Sequence, residues 1–227
     1  MIETSAIVDR IALMLGASWA SGINLYAAIL TLGLLGATGQ AQLPPGLEVL
    51  TNPLVIGAAG LMYCIEFFAD KIPGVDTAWD ALHSFVRIPA GAILAAAATT
   101  EIGPAAQLAA AILGGGLAAG SHMTKAGTRI LINTSPEPAT NWTASIGEDM
   151  LVIAAMWTAL NHPIIFACIL VLILAGMAWL LPKLWRGVRV LFRKIKAFFS
   201  SQQPPQESSA ITNNQKKPGQ DRKDDAT

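Results

Sequence analysis

Charge is scarce in this chain. Lys, Arg, Asp and Glu make up 13% of its 227 residues, and 53% are hydrophobic, where an ordinary soluble domain carries about 25% charge. That shortage argues against a solvated globule and for a chain immersed in membrane. Cysteine is nearly absent. Cys64 and Cys168 are the two present; both lie in apolar runs, cannot form a disulfide framework, and read as small buried hydrophobes. There is no convincing nucleophile or histidine cluster, and no soluble catalytic or nucleic-acid-binding signature competes with the membrane reading. The opening stretch "MIETSAIVDRIALMLG" has an acidic start and no A-x-A-like cleavage site, so it reads as a retained first span and not as a signal peptide.

What the chain has is apolar runs. A membrane helix needs about 20 apolar residues to cross roughly 30 Å of hydrocarbon. Residues 11–36, 53–69, 105–124 and 162–182 meet that length, and two shorter runs, 88–100 and 149–161, fall below it. Pro53 stands at a helix start, where its missing N–H costs nothing. Gly116-x-x-x-Gly120 is expected to let a neighbouring helix approach closely, and Trp179 and Trp185 sit at interface depth. The fold class expected is an all-α, polytopic helical bundle of about six spans, two of them short, occupying residues 1–182.

Lys and Arg set the orientation. The connections 37–52, 101–104 and 161–163 contain neither residue, whereas 70–87, 122–148 and the tail hold nearly all of them. Alternating spans then put both termini on the cytoplasmic side of a bacterial inner membrane. Residues 183–199 continue as a basic amphipathic helix, with Arg186, Arg189, Arg193 and Lys196 opposite Val188, Leu191, Phe192 and Ile195, suited to anionic lipid or to a plain positive-inside anchor. Residues 200–227 lack periodicity and read as a disordered tail.

The few charges are concentrated. A unit of apolar span, charged connection and short apolar run occurs at 53–100 and again at 105–161, an internal duplication in layout more than in letters. The first unit carries Glu66, Asp70, Lys71, Asp76, Asp80 and Arg87; the second carries Lys125, Arg129, Glu148 and Asp149. Opposite charges would meet if the units pack face to face, and pairing is what burial in lipid demands. Glu66 and Asp70 are four apart, as are Asp76 and Asp80, so each pair projects from one helix face towards a cation or proton path. Asp76 and Asp80 are the candidates for a divalent cation. The competing reading is a solvated loop whose acids pair with Lys71 and Arg87. Pro136 and Pro138 suggest an extended break, followed by a helix start at Ser145 with Glu148 completing a capping box. Asn24, near mid-membrane in "SWASGINLYA", needs a partner, across a helix interface or where the helix unwinds.

The stretches "GINLYA", "EFFADKIPGVDTAWDALHSFVRIPAG" and "TSPEPATNWTASIGED" resemble a family of bacterial multi-span membrane proteins, domain of unknown function 4126, over roughly residues 10–180. The resemblance implies a membrane fold and supplies no substrate. Three functions follow from the residues. The first is a small transporter or channel with a polar path built by the two charged hairpins. The second is an enzyme acting on a lipid or polyprenyl phosphate, with Mg²⁺ on Asp76 and Asp80 and Lys125 or Arg129 countering the phosphate; it is weakened by an incomplete metal signature. The third is a scaffold whose hairpins dock a partner, and the small-residue face also allows a homo-oligomer.

Overall fold

The computed structural model describes residues 4–72, 74–134 and 138–200. Among them every regular element is a helix, in the order α1 (Thr4–Ala37), a short 3₁₀ helix (Pro45–Thr51), α2 (Pro53–Ala69), α3 (Val75–Ala98), α4 (Pro104–Ile132), α5 (Pro138–Asn161) and α6 (Pro163–Ser200). Proline opens α2, α4, α5 and α6, at the position where a missing N–H is no loss and φ is already helical. Asn52 caps α2, its side chain accepting from the Leu54 N–H at 2.9 Å. Gly74 (φ +87°) and Gly103 (φ +125°) take the left-handed turns that lead into α3 and α4.

Each of the six apolar runs corresponds to one α-helix, 88–100 overrunning the end of α3 by two residues and 162–182 the start of α6 by one. The two short runs are corrected in length, because 88–98 and 149–161 are the distal parts of α3 and α5, each 24 residues long. Hydropathy truncated them because their proximal turns carry charge, and that charge faces the protein. On α3, Leu82, Phe85 and Val86 are exposed while Asp76, Asp80 and Arg87 are buried. Three helices, Ala6–Ala37, Val75–Ala98 and Pro163–Lys194, are long and apolar enough to cross a membrane, and the bent pair Pro45–Thr51 and Pro53–Ala69 makes a fourth if counted as one span.

α1 does not cross as a rod. Asn24 lies inside it with extended φ/ψ of −148° and 97°. A straight helix of this length would hold its ends about 50 Å apart. Yet Arg10 pairs with Glu101, in the α3–α4 connection, at 2.6 Å. Asp9, Arg10 and Leu13 also share a surface cavity with Gln42, beyond the other end of α1. Gly33 and Gly36 pack on Leu50 and Thr51, and Gly46 abuts the Ala97 carbonyl. Both ends of α1 are therefore at one end of the bundle, and Asn24 is the apex of a V that points into its interior.

The start of α1 lies with the Arg10–Glu101 end, whereas Leu184 and Gly187 of α6 pack on Gly127 and Leu131 at the far end of α4. The start of α1 and this part of α6 are thus at opposite ends of the bundle. With Cys64 and Cys168 replaced, Asp9→Cys and Gln42→Cys are expected to react with an impermeant thiol reagent from the same side of sealed membranes, and Thr134→Cys from the other. Opposite labelling of the first pair would rule out the V.

The tight packing is at the junction of α1, α3 and α4. A Cβ on Gly22 would overlap Ser121 Oγ and the Ala118 carbonyl, and one on Gly91 or Gly114 would meet Ala118 or Ala95. The expected Gly116-x-x-x-Gly120 face is not that junction: Gly116 faces open space and Gly120 meets Met177. Cys64 and Cys168 are both exposed, not buried, since an apolar membrane helix turns as much of its surface to lipid as to protein.

The contacts divide the chain into Met1–Arg189 and Val190–Thr227. The basic stretch expected at 183–199 lies wholly within α6. The tail beyond residue 200, Pro73 and Pro136 lie outside the described residues.

Candidate functional site: a buried charge network

Four helices and the apex of α1 converge on charge. On α3, Asp80 and Arg87 are two turns apart and so share a face. Arg87 is 0% exposed; its Nη1 donates to Asp80 Oδ1 at 2.8 Å and its Nη2 to Glu66 Oε1, on α2, at 2.6 Å. α4 contributes Lys125 and Arg129, one turn apart. The Lys125 ammonium is the hub. It donates to Asp70 Oδ2 at 2.8 Å and lies 3.7 Å from Glu66 Oε1, 3.7 Å from Asp80 Oδ1 and 3.6 Å from Glu148 Oε2. Arg129, also 0% exposed, donates to Glu148 Oε2 at 2.7 Å and to the Asp70 carbonyl at 3.1 Å.

The alternative of a solvated 66–87 loop is excluded by this burial: Glu66, Asp70, Asp76, Asp80 and Arg87 are all inside the protein. The expected meeting of opposite charges between the two units holds for Lys125, which faces Asp70, Glu66 and Asp80, and for Arg129, 3.8 Å from Asp70 Oδ2. Arg87 instead pairs within the first unit, and the shortest ion pair of Arg129 is with Glu148 within the second. Charges that share a helix face, or lie on consecutive helices, reach one another before the facing unit does.

Asn24 satisfies both arrangements open to it. Its Nδ2 donates to Asp149 Oδ1 at 2.8 Å, across to α5. Its Oδ1 accepts from the Ala27 N–H at 2.9 Å and caps the second half of α1. The same break gives the Ile23 carbonyl to Lys125 Nζ at 3.0 Å, an ammonium at the negative end of the first half-helix. Tyr63 donates to Asp149 Oδ2 at 3.2 Å.

Three expectations are corrected. Ser145 and Glu148 form no capping box, since α5 begins at Pro138 and Ser145 is two turns inside it. Ser145 Oγ accepts from Lys71 at 3.3 Å and Glu148 goes to Arg129. Lys71 was expected as a partner for acids; instead its ammonium lies 2.9 Å from the centre of the Phe67 ring and donates to the Phe67 carbonyl at 2.9 Å. Burial pushes its pKa below the ordinary lysine value, with Asp149 and Asp70 pulling it back up. Asp76 and Asp80 do not act as a pair. Asp76 Oδ1 accepts from the Gly74 and Thr77 N–H groups at 2.9 and 2.6 Å, and its carboxylate takes the Asn133 amide at 2.8 and 2.9 Å. Asp80 serves Arg87. Among the described residues no three His, Cys, Asp or Glu side chains are grouped to hold a metal ion.

Sequence reasoning missed His122, Tyr63, Asn133 and Asn141. His122 Nε2 lies 2.6 Å from Ser84 Oγ, and its Nδ1 is 3.5 Å from Arg87 Nη1. The signal for His122 was present, because it precedes Lys125 by three residues and therefore shares the charged face of α4. Asn133 and Asn141 had none, being polar residues near a connection. Asn141 Oδ1 accepts from Arg129 at 3.3 Å.

The result is a polar core in which four carboxylates surround three cations, enclosed by helices whose outer faces are apolar. Intramembrane clusters of this kind mark functional sites more often than structural ones.

No curated protein and no solved structure matches the chain. A family model does, described as Domain of unknown function (DUF4126), over residues 11–183. That span takes in every charged group of the network, and the chain belongs to the DUF4126 family.

Proposed function

We propose that the protein is a small transporter or channel of a bacterial cytoplasmic membrane, moving an ion or small solute through the charge network between its two units, 53–100 and 105–161. The observation that carries this reading is the break of α1 at Asn24. A discontinuous helix whose freed carbonyl meets a buried ammonium is how membrane proteins expose backbone polarity at mid-depth, where it serves a site and not lipid. The positive-inside rule places the α2–α3 and α4–α5 connections in the cytoplasm. The V of α1 then enters from the outer side and closes that half of the bundle, and the basic stretch 183–199 rests against anionic lipid.

The enzyme reading has less support, since Asp76 and Asp80 are committed to different partners. The test is flux. Proteoliposomes holding the protein should dissipate an imposed proton or alkali-cation gradient faster than empty vesicles, and Asp80→Asn should return the rate to that of empty vesicles at equal protein content. Identical leak with and without wild-type protein would overturn the reading and favour the scaffold.

A further inference from the structure

We infer that the network binds one proton, held in common by Glu66, Asp70, Asp80 and Glu148 around the Lys125 ammonium. Those four carboxylates face three cations, Arg87, Lys125 and Arg129, in contacts of 3.8 Å or less. The surrounding elements do not make up the difference. α1 offers the network the neutral Ile23 carbonyl, and His122 of α4 faces Ser84 and the Arg87 guanidinium. Asp149 of α5 is bound to Asn24 and Tyr63, and Asp76 to Asn133 and its own turn. Lys71 lies over Phe67, and its ammonium is drawn to Asp149 more than to Asp70, so the charge it offsets is that of Asp149. One negative charge is left uncompensated in an interior where an unpaired ion costs several kcal/mol, and a group so placed takes a proton.

A second observation points the same way. Among the described residues, Glu66 Oε2, Asp70 Oδ1 and Asp80 Oδ2 are buried without a hydrogen-bond partner, each on a carboxylate whose other oxygen carries the ion pair. Three buried N–H donors, Arg87 Nε, Arg129 Nε and Trp79 Nε1, also lack partners there. A carboxylic O–H needs one such oxygen to sit on and a second carboxylate oxygen to accept from it, and the cluster offers both. A metal ion fits less well, because Lys125 already occupies the centre. The cluster opens to the outside of the protein at Glu148, whose side chain is 19% exposed while those of the other three carboxylates are at most 2%.

The proposal deepens the transport reading, since such a proton would be the species moved or coupled, but its test is independent of flux. Purified wild-type protein in nanodiscs is examined by difference infrared spectroscopy at neutral pH. The expected result is the carbonyl stretch of a protonated carboxylic acid, shifted in D₂O. Because the proton answers an excess charge, E66Q, D70N, D80N and E148Q should each remove the band, while Asp149→Asn, outside the cluster, leaves it. A wild-type spectrum without the band overturns the proposal, whatever the variants do. A band removed by one substitution alone overturns the sharing. Should the band be present in a protein that carries no flux, the proton site stands and the transport reading falls.

Discussion

Replacing Lys125 by methionine is expected to destabilise the protein by about 3–5 kcal/mol, the cost of removing one partner from a buried ionic cluster. Methionine follows the length of the lysine stem, so the loss is electrostatic and not a cavity. Four carboxylates would be left with two arginines, and the Ile23 carbonyl would lose its 3.0 Å donor. Lys125→Arg should not restore stability, because a planar fork cannot replace a point charge that lies within 4 Å of four carboxylates and also donates to a carbonyl. Adding Asp70→Asn to Lys125→Met should recover part of the loss, since Asp70 is the acid nearest the ammonium at 2.8 Å. The pH dependence has a definite sign. Stripped of the ammonium, the carboxylates gain protons more readily than in the wild type, so the deficit of Lys125→Met should shrink as pH falls. Melting in detergent at two pH values reads both effects, and a methionine variant as stable as the wild type would deny Lys125 its place as hub.

Asn24→Asp is expected to be worse than Asn24→Ala, although aspartate is as good a helix cap as asparagine. Alanine removes the cap of the second half-helix, about 1 kcal/mol, and leaves Asp149 short of a buried donor, about 1–3 kcal/mol. Aspartate keeps the cap but sets a carboxylate where the Asn24 amide now lies, 2.8 Å from Asp149 Oδ1. Two buried carboxylates at that distance cannot both ionise. Lowering the pH should therefore raise the melting temperature of Asn24→Asp relative to Asn24→Ala, as one proton rejoins the two oxygens. Equal stability of the two variants at neutral pH would mean that the Asn24–Asp149 contact does not hold the apex.

How far this could be seen in advance differs by feature. The helix start at Pro53 was readable from its proline, and the charged residues announced themselves by their rarity in a greasy chain. Ser145 and Glu148 misled because a Ser-x-x-Glu pattern reads the same inside a helix as at its start, and Pro138 seven residues earlier was the stronger punctuation. Gly116 and Gly120 misled in a related way: small-residue spacing marks a face that can be approached, while the neighbouring α1 and α3 chose Gly114. The exposed cysteines show the limit of hydropathy, in which a side chain facing lipid and one facing protein have the same signature.

By itself the sequence determined that the chain is helical, that it is suited to membrane, and that its few charges cluster beside its apolar runs. Apolar content, proline punctuation and charge scarcity are local properties and survive without coordinates. The tertiary structure decided that α1 turns back at Asn24, that Lys125 stands among four acids and that Asp76 and Asp80 part company. Each depends on distances between residues far apart in the chain. A single extended residue reverses a helix without altering its composition, and a buried charge takes whichever opposite charge the packed helices bring within reach.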